Sequence, residues 1–447
     1  MYQEQLPVTS GIFHLSCDVC GTADILIPSL DKGSMIQTHY LLRKDVPDVR
    51  SLRIDTTGMV DRGKTVFEEQ RTQWAVAAGS FPYEMPEASW WQYCLAPHSY
   101  LDLGEGWCQV GLNFFNRFLH LSPESGCACF VDPGIGEDML STTNWYDRER
   151  RELWFASWPV EDTVRRLCNP EATARVKIWK STLADGRISQ VWQGDFGDAL
   201  HQLAVSPDGR YLVLTELGLR AAASASPLHA EKASGNLLEK GRTGVIPSDV
   251  LVWDAMSGEE WRLSLRTAGH VAFDPDDPTI FYLSEHHIGL IGVKVGIFGP
   301  GSIQKYRMTG KGPVKLGEFT APGFHRITTH TVFKHRDKAL IAVTGYPGSV
   351  FLIDAAGMSL YRVIHWETEE TAEDSLYPHL CHRDSYGIMP TPDGEALFVS
   401  GTGFIQFLDI EKGESLFSRN IDSYGANTCF TGHLGAVTMN GGSNIDG

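Results

Sequence analysis

The sequence is poor in positive charge for its length. It has 38 Lys and Arg against 55 Asp and Glu, which gives a formal net charge of −17. Nucleic acids and anionic membranes are bound through clustered Lys and Arg, so this balance argues against both kinds of partner. An excess of negative charge is instead typical of a soluble protein whose copies repel one another.

Long apolar runs are also missing. No stretch of about 18 consecutive apolar residues occurs, so we expect no transmembrane helix. Residues 1–10, MYQEQLPVTS, lack a basic segment followed by an apolar one. A secretory signal has that pattern, so we expect none here. These two absences predict a cytoplasmic protein.

Cysteines are few, and their closely spaced pairs do not combine into the pattern of a structural zinc site. The nine Cys are an odd number spread over 447 residues, which is typical of reduced thiols rather than of a disulfide framework. Cys17 and Cys20 form a single CxxC pair, and Cys127 and Cys129 form a single CxC pair. A structural zinc site needs two such halves, so ordinary strand or turn cysteines are the favoured interpretation.

The sequence does contain a repeated motif that consists of a strand, a tight turn and a second strand. Four copies occur within residues 199–410, and two of their turns read Pro-Asp-Gly, at Pro207–Gly209 and at Pro392–Gly394. Pro presets φ at the second turn position, and Gly accepts a positive φ. A further strand and turn follow three of the copies, with turn residues Asp254 and Gly258, Asp354 and Gly357, and Asp409 and Gly413.

A repeat of roughly 50 residues with this content is the signature of propeller blades. We therefore predict an all-β fold, a seven-bladed β-propeller in one domain over 1–447, with six or eight blades possible. Residues 11–43 look like the outer strands of a blade that lacks its inner strands. Residues 427–438 look like inner strands that lack their outer strands. We therefore expect the N- and C-terminal strands to complete one blade and close the ring. The segment 218–248 interrupts one blade and is either disordered or a lid.

Histidine placement is the main indication of function. His201, His270 and His330 each lie five or six residues before the turn of their repeat, and His379 and His382 precede the fourth inner strand. The starts of inner strands converge at one mouth of a propeller channel, so these residues can meet there. Neutral imidazole binds Mn, Fe or Zn, and we predict a divalent metal held by His270, His330, His379 and His382. The alternative for each is a hydrogen-bonded structural histidine.

Two polar clusters, 324–330 and 377–386, supply candidates for proton transfer. The predicted catalytic residues are His201, His325, Arg326, Arg383 and Tyr386. His201 or His325 would move the proton, and Arg326 or Arg383 would neutralise the developing negative charge. No nucleotide cofactor is expected.

One stretch resembles a known family. Residues 269–278, GHVAFDPDDP, followed by Ser284-Glu285-His286, resemble the oligogalacturonate lyases, and Tyr377-Pro378-His379 is similar too. The resemblance covers about 199–410. It implies a cytoplasmic seven-bladed propeller that binds manganese through histidines and a glutamine at the channel mouth, with a basic residue that abstracts the proton α to a uronate carboxylate. His379 and His382 are one residue further apart than the family's pair, and no glutamine stands before Tyr377, which puts the lyase substrate in doubt.

Three functions stay open. The first is a small-molecule enzyme with metal-assisted lyase, isomerase or hydrolase chemistry on an oxygenated substrate. The second is a metal-free propeller cyclase of natural-product (secondary) metabolism, in which Trp90, Trp91, Phe114 and Phe115 wall the pocket. The third is a non-catalytic interaction scaffold, although the Gly-His…Trp-Asp repeat of such scaffolds is absent and Trp253-Asp254 occurs once. The sequence does not indicate the oligomeric state.

Overall fold

The named secondary-structure elements of the chain are all β-strands. A computed structural model describes residues 11–21, 35–43, 46–55, 97–112, 117–122, 125, 127–136, 139–147, 149–159, 161–162, 173–182, 186–197, 200–216, 248–266, 268–286, 288–291, 294–297, 300–322, 324, 329–345, 348–368, 385–391, 393–401, 404–420 and 435–439. Within these ranges no helix has the length and apolar character that a membrane span needs.

The strands lie in the following order along the chain: β1 (Gly11–Gly21), β2 (Met35–Arg43), β3 (Val46–Asp55), β4 (Pro97–Gly104), β5 (Trp107–Leu112), β6 (Phe118–Ser122), β7 (Cys127–Val131), β8 (Met139–Asp147), β9 (Glu152–Pro159), β10 (Ala174–Thr182), β11 (Ile188–Phe196), β12 (Leu200–Val205), β13 (Tyr211–Glu216), β14 (Ser248–Asp254), β15 (Glu260–Leu265), β16 (Ala268–Phe273), β17 (Ile280–Glu285), β18 (Ile288–Ile291), β19 (Lys294–Ile297), β20 (Ser302–Thr309), β21 (Gly312–Phe319), β22 (His330–His335), β23 (Lys338–Gly345), β24 (Ser349–Asp354), β25 (Ser359–His365), β26 (Ser385–Pro390), β27 (Ala396–Gly401), β28 (Phe404–Asp409), β29 (Glu414–Asn420) and β30 (Gly435–Met439).

Six four-stranded antiparallel blades are each built from one continuous stretch of chain. They are blade 1 (β4–β7), blade 2 (β8–β11), blade 3 (β12–β15), blade 4 (β16, β17, β20 and β21), blade 5 (β22–β25) and blade 6 (β26–β29). A seventh four-stranded sheet, the closing sheet, combines the two ends of the chain in the order β3-β2-β1-β30. The predicted all-β propeller is confirmed.

The closing sheet pairs the first strand with the last. β30 runs antiparallel to β1, from Gly11 opposite Met439 to Leu15 opposite Gly435. The expectation that strands from both ends complete one sheet is therefore confirmed. The outer strands of this sheet are β2 and β3.

The innermost strands follow one another around the centre of the ring. β30 contacts β4, β4 contacts β8, β8 contacts β12, and the series continues through β16 and β22 to β26. The blades pack face to face, so the apolar core lies between neighbouring blades. Between blades 3 and 4, for example, the buried rings of Phe281 and Tyr306 stack with centroids 5.2 Å apart. Burying one such side chain contributes about 1.5–3 kcal/mol.

The turns use the left-handed conformation where the repeat predicted it, but not always at glycine. Gly209 and Gly394, in the two Pro-Asp-Gly turns, have φ of 74° and 67°. In blade 5, Arg336 takes this role in the first turn with φ of 56°, and Met358 in the last with φ of 48°. The glycine expected to accept a positive φ there, Gly357, is not the left-handed residue.

Blade 4 departs from the simple repeat. Its third strand, β20, comes only after an inserted hairpin in which β18 pairs with β19. The segment 218–247, which the sequence predicts to be disordered or a lid, lies outside the described residues.

Candidate functional site

A β-bulge lies near the start of the inner strand in blades 1, 3, 4 and 6. In each, two inner-strand residues oppose one residue of the second strand. The bulged pairs are His98-Ser99, His201-Gln202, Gly269-His270 and Tyr386-Gly387. Bulges re-aim side chains and are frequent beside functional sites. Three predicted site residues, His201, His270 and Tyr386, occupy this position.

The bulge in blade 1 places His98 at the corresponding point of the ring. The sequence repeat did not single out this residue, because blade 1 lies before the four copies within 199–410. A histidine followed by a short alternating strand was the available signal.

The structure brings His201 of blade 3 and His270 of blade 4 into contact. Their rings meet edge to face, with centroids 4.4 Å apart and planes at 66°. Burial lowers the pKa of His201 to about 4, although a hydrogen bond with the backbone of Gly269 partly opposes the shift. The His201 imidazole is therefore neutral at pH 7, with one ring nitrogen as a donor and the other as an acceptor. His270 is also buried.

Two side chains hold this contact in place. Gln202 Oε1 accepts the backbone N–H of Val271 at 2.6 Å, which links the inner strands of blades 3 and 4. Ser284 Oγ accepts the N–H of His270 at 2.7 Å and donates to its carbonyl oxygen at 3.3 Å. A bulge interrupts the ladder and leaves backbone groups to be satisfied by other means. The Ser284 hydroxyl does this for His270.

The same arrangement recurs in blade 5 without a bulge. Thr344 Oγ1 accepts the N–H of Thr329 at 2.9 Å and donates to its carbonyl oxygen at 3.1 Å. Thr215 and Ser400 occupy the matching positions in blades 3 and 6 and are fully buried. The hydroxyl position recurs in four blades, and in blades 4 and 5 it is hydrogen-bonded to the start of the inner strand, whereas Thr215 Oγ1 has no hydrogen-bond partner among the described residues.

A third imidazole, that of His286, approaches the same point. A Cβ atom on Gly269 would overlap both Ser284 Oγ and His286 Nε2, so only glycine fits between them without rearrangement. In the sequence, His286 belongs to the Ser284-Glu285-His286 stretch that resembles the oligogalacturonate lyases. The structure places its ring, buried, against the backbone beside His270.

The charges next to this group are paired. Glu285 Oε1 accepts the backbone N–H of Arg266 and Oε2 contacts its guanidinium, both at 3.0 Å. The hydrogen bond with Glu285 is the main reason that the pKa of Arg266 is raised. Ser302 and Gln304 also reach Glu285 Oε2, each at 3.4 Å. The described groups around His270 are therefore neutral or charge-compensated.

His330 is directed toward the neighbouring blade. Its Nε2 lies 3.2 Å from the carbonyl oxygen of Tyr282 in blade 4. Because a carbonyl can only accept, Nε2 carries the hydrogen and Nδ1 has a lone pair, which has no hydrogen-bond partner among the described residues. Burial lowers the pKa of His330 to about 4, and the Tyr282 carbonyl opposes this shift. This contact supports a structural role for His330 between blades 4 and 5.

Several predicted residues cannot be placed. His325, Arg326, His379, His382 and Arg383 lie outside the described residues, and of Tyr386 the structure describes only the backbone. The aromatic residues of the cyclase alternative, Trp90, Trp91, Phe114 and Phe115, also lie outside them. Within the described part of the chain, no group of three or more His, Cys, Asp or Glu is arranged to hold a metal ion. The predicted ligand set remains a prediction.

The propeller fold alone does not identify a function, because one fold can carry many chemistries. The sequence resemblance to oligogalacturonate lyases finds no support in comparisons with known proteins. No protein-family model matches this chain, and no curated protein sequence matches it either.

Proposed function

We propose that the chain is a small-molecule enzyme whose site lies where the starts of the inner strands of blades 3 and 4 meet. The observation that carries the proposal is the contact between the half-buried ring of His201 and the buried ring of His270, 4.4 Å apart, on two bulged strands of separate blades. Bulges can re-aim side chains, and here the two bulged positions carry the imidazoles that meet.

The proposed chemistry is proton abstraction from an oxygenated substrate, as in a lyase or an isomerase. The neutral imidazole of His201 has a lone pair and can act as the general base. The negative charge that develops on the substrate oxygen would be stabilised by Arg326 or Arg383, with the hydroxyl of Tyr386 as a further donor. Of these, Tyr386 has its backbone in the matching bulge of blade 6.

A divalent metal, Mn, Fe or Zn, is a second element of the proposal. His270 with His379 and His382 would hold it, and it would supply Lewis-acid polarisation of the substrate oxygen. We assign His330 to inter-blade contact instead, because its Nε2 donates to Tyr282.

The proposal is tested first by ligand binding. A panel of uronates and of hydroxy and keto acids is screened for compounds that raise the Tm of the wild type. His201→Gln is the test variant, and His365→Gln, which changes an exposed histidine of β25, is the matched control. We expect binding to be lost in the first variant and kept in the second. Equal binding by both variants would contradict the proposed site.

Two further measurements distinguish metal-assisted catalysis from proton abstraction by the imidazole alone. Solvent deuterium incorporation into a bound compound, followed by NMR, reports proton abstraction, and we expect it to disappear in His201→Gln. Metal content of the purified protein is measured in wild type, His270→Ala and His365→Ala. Stoichiometric metal that is lost only in His270→Ala supports the metal-assisted form, and exchange in a metal-free protein supports imidazole alone.

A further inference from the structure

The outermost strand of blade 1 carries two exposed thiols. Cys127 and Cys129 are both free and both exposed on β7. Residues two apart in a strand point to the same face, so the two sulfurs lie on one side of the sheet. β7 pairs only with β6 in this four-stranded sheet, and a ligand can therefore reach this face from the rim.

The spacing of the two cysteines is unfavourable for a disulfide between them. Two strand residues span about 6.6–6.8 Å between Cα atoms, which is at the upper limit of disulfide geometry, about 6.8 Å. A disulfide at that limit is strained and easily reduced. An ion bridging two sulfurs replaces one S–S bond of about 2 Å by two metal–sulfur bonds of about 2.3 Å each. The longer sulfur–metal–sulfur bridge therefore suits the distance between two residues that are two positions apart in a strand.

The described cross-strand neighbours of the pair, Ser122 and His120, are neutral. The strand register places Cys129 opposite His120, and His120 opposite Gln109, so the three side chains form a row on one face. His120 Nε2 lies 3.0 Å from Gln109 Oε1 and donates to it. Burial lowers the pKa of His120, which keeps the ring neutral. The guanidinium of Arg117 on the adjoining segment is paired with Asp132 at 2.9 Å. No uncompensated positive charge of these residues opposes a cation.

We propose that Cys127 and Cys129 form a two-thiolate site for a soft monovalent cation of the Cu(I) class. Thiolate ligands select Cu(I), Zn or iron–sulfur clusters. Structural zinc and iron–sulfur clusters take four protein ligands, whereas the described residues offer no group of three. Binding releases the two thiol protons and involves no change of oxidation state. The proposal does not depend on the proposed function at the channel mouth.

A third cysteine of the same blade, Cys108, differs from this pair in its burial. Cys108 on β5 is completely buried, and burial raises the pKa of its thiol, with Asp102 contributing in the same direction. The thiolate is the metal ligand, so we expect Cys108 to take no part.

The test is anaerobic titration of the full chain with Cu(I) in competition with a chromophoric Cu(I) chelator. We expect one equivalent to be withheld from the chelator by the wild type. Cys127→Ser and Cys129→Ser should each weaken this binding by at least about 100-fold, because one thiolate remains. The Cys17→Ser/Cys20→Ser variant removes the other closely spaced pair and should bind as the wild type does. Circular dichroism checks that each variant is folded.

Three results would overturn the proposal. The first is unchanged Cu(I) affinity in Cys127→Ser or Cys129→Ser. The second is X-ray absorption showing three or more sulfur neighbours around the bound Cu(I). The third is a stable Cys127–Cys129 disulfide, formed with oxidised glutathione by thiol–disulfide exchange and detected as a mass loss, since the spacing argument excludes an unstrained bond.

Discussion

We predict that His330 makes the stability of this propeller depend on pH. It is 8 % exposed, its Nε2 donates to Tyr282, and its pKa is lowered from 6.5 to about 4 by burial. Protonation at Nδ1 would place a charge in a buried position with no acceptor among the described residues. We therefore expect acid to destabilise the contact between blades 4 and 5 before carboxylates titrate.

The direction and the size of this change in the free energy of unfolding follow from the linkage between proton binding and folding. Between pH 4 and 6.5 the unfolded chain binds a proton at His330 more tightly than the folded chain does, so the free energy of unfolding falls as pH falls through this window. A difference of one pKa unit corresponds to about 1.4 kcal/mol. At pH 5, roughly 1.5 units of the difference are expressed, and the loss relative to pH 7 is about 2 kcal/mol.

The substitution His330→Gln isolates this effect. The Gln Nε2 can still donate to Tyr282, but the side chain does not titrate. Urea denaturation at pH 7 and pH 5 gives the free energies of unfolding, and the variant should lose about 2 kcal/mol less than the wild type between the two pH values. His365→Gln, at the exposed end of β25, is the control and should behave as the wild type. Parallel losses in wild type and His330→Gln would refute the assignment of a buried neutral imidazole.

Three further predictions concern the bulge, the turns and the rim. Ser284→Ala removes the hydroxyl that satisfies the bulged backbone, and urea denaturation should show a loss of about 1–3 kcal/mol; a loss under about 0.5 kcal/mol would mean that the backbone finds another partner. Gly394→Ala should destabilise several kcal/mol more than Gly258→Ala, because both have positive φ but only Gly394 packs on neighbouring backbone; equal losses would contradict this. Glu411→Gln should lower the Tm at pH 7, because the pairing with His335 that lowers the pKa of Glu411 requires the carboxylate, and the difference from the wild type should shrink as acid protonates this carboxylate. An unchanged Tm at pH 7 would argue against this pair.

The strand order was predictable because it follows from local chemistry. Apolar segments separated by turn residues marked the four repeats that form blades 3 to 6. The turn glycines at 209 and 394 adopt the positive φ that their motifs predicted. Position 358 was not predictable in this way. A methionine there takes the left-handed conformation, and its side chain packs against the apolar cluster between blades 4 and 5, which is not a property of the turn sequence.

The site was predictable only in part. The repeat placed His201 and His270 at equivalent positions, and the ring explains why residues far apart in sequence could meet. The sequence carried no signal for the bulges, since a bulge is an offset between two strands and is not a property of either one. The sequence also could not show that His330 differs in role from the other histidines. Its hydrogen-bond partner is a backbone carbonyl of another blade, and that contact exists only in the folded ring.

The pairing of β1 with β30 sets an order of events during synthesis. Six blades are continuous in the chain, and each can fold soon after it leaves the ribosome. The closing sheet cannot, because its two halves are separated by nearly the whole polypeptide. Until β30 is made, β1 has no partner on its inner edge and the ring stays open, so the nascent propeller exposes an unpaired strand edge for most of its translation.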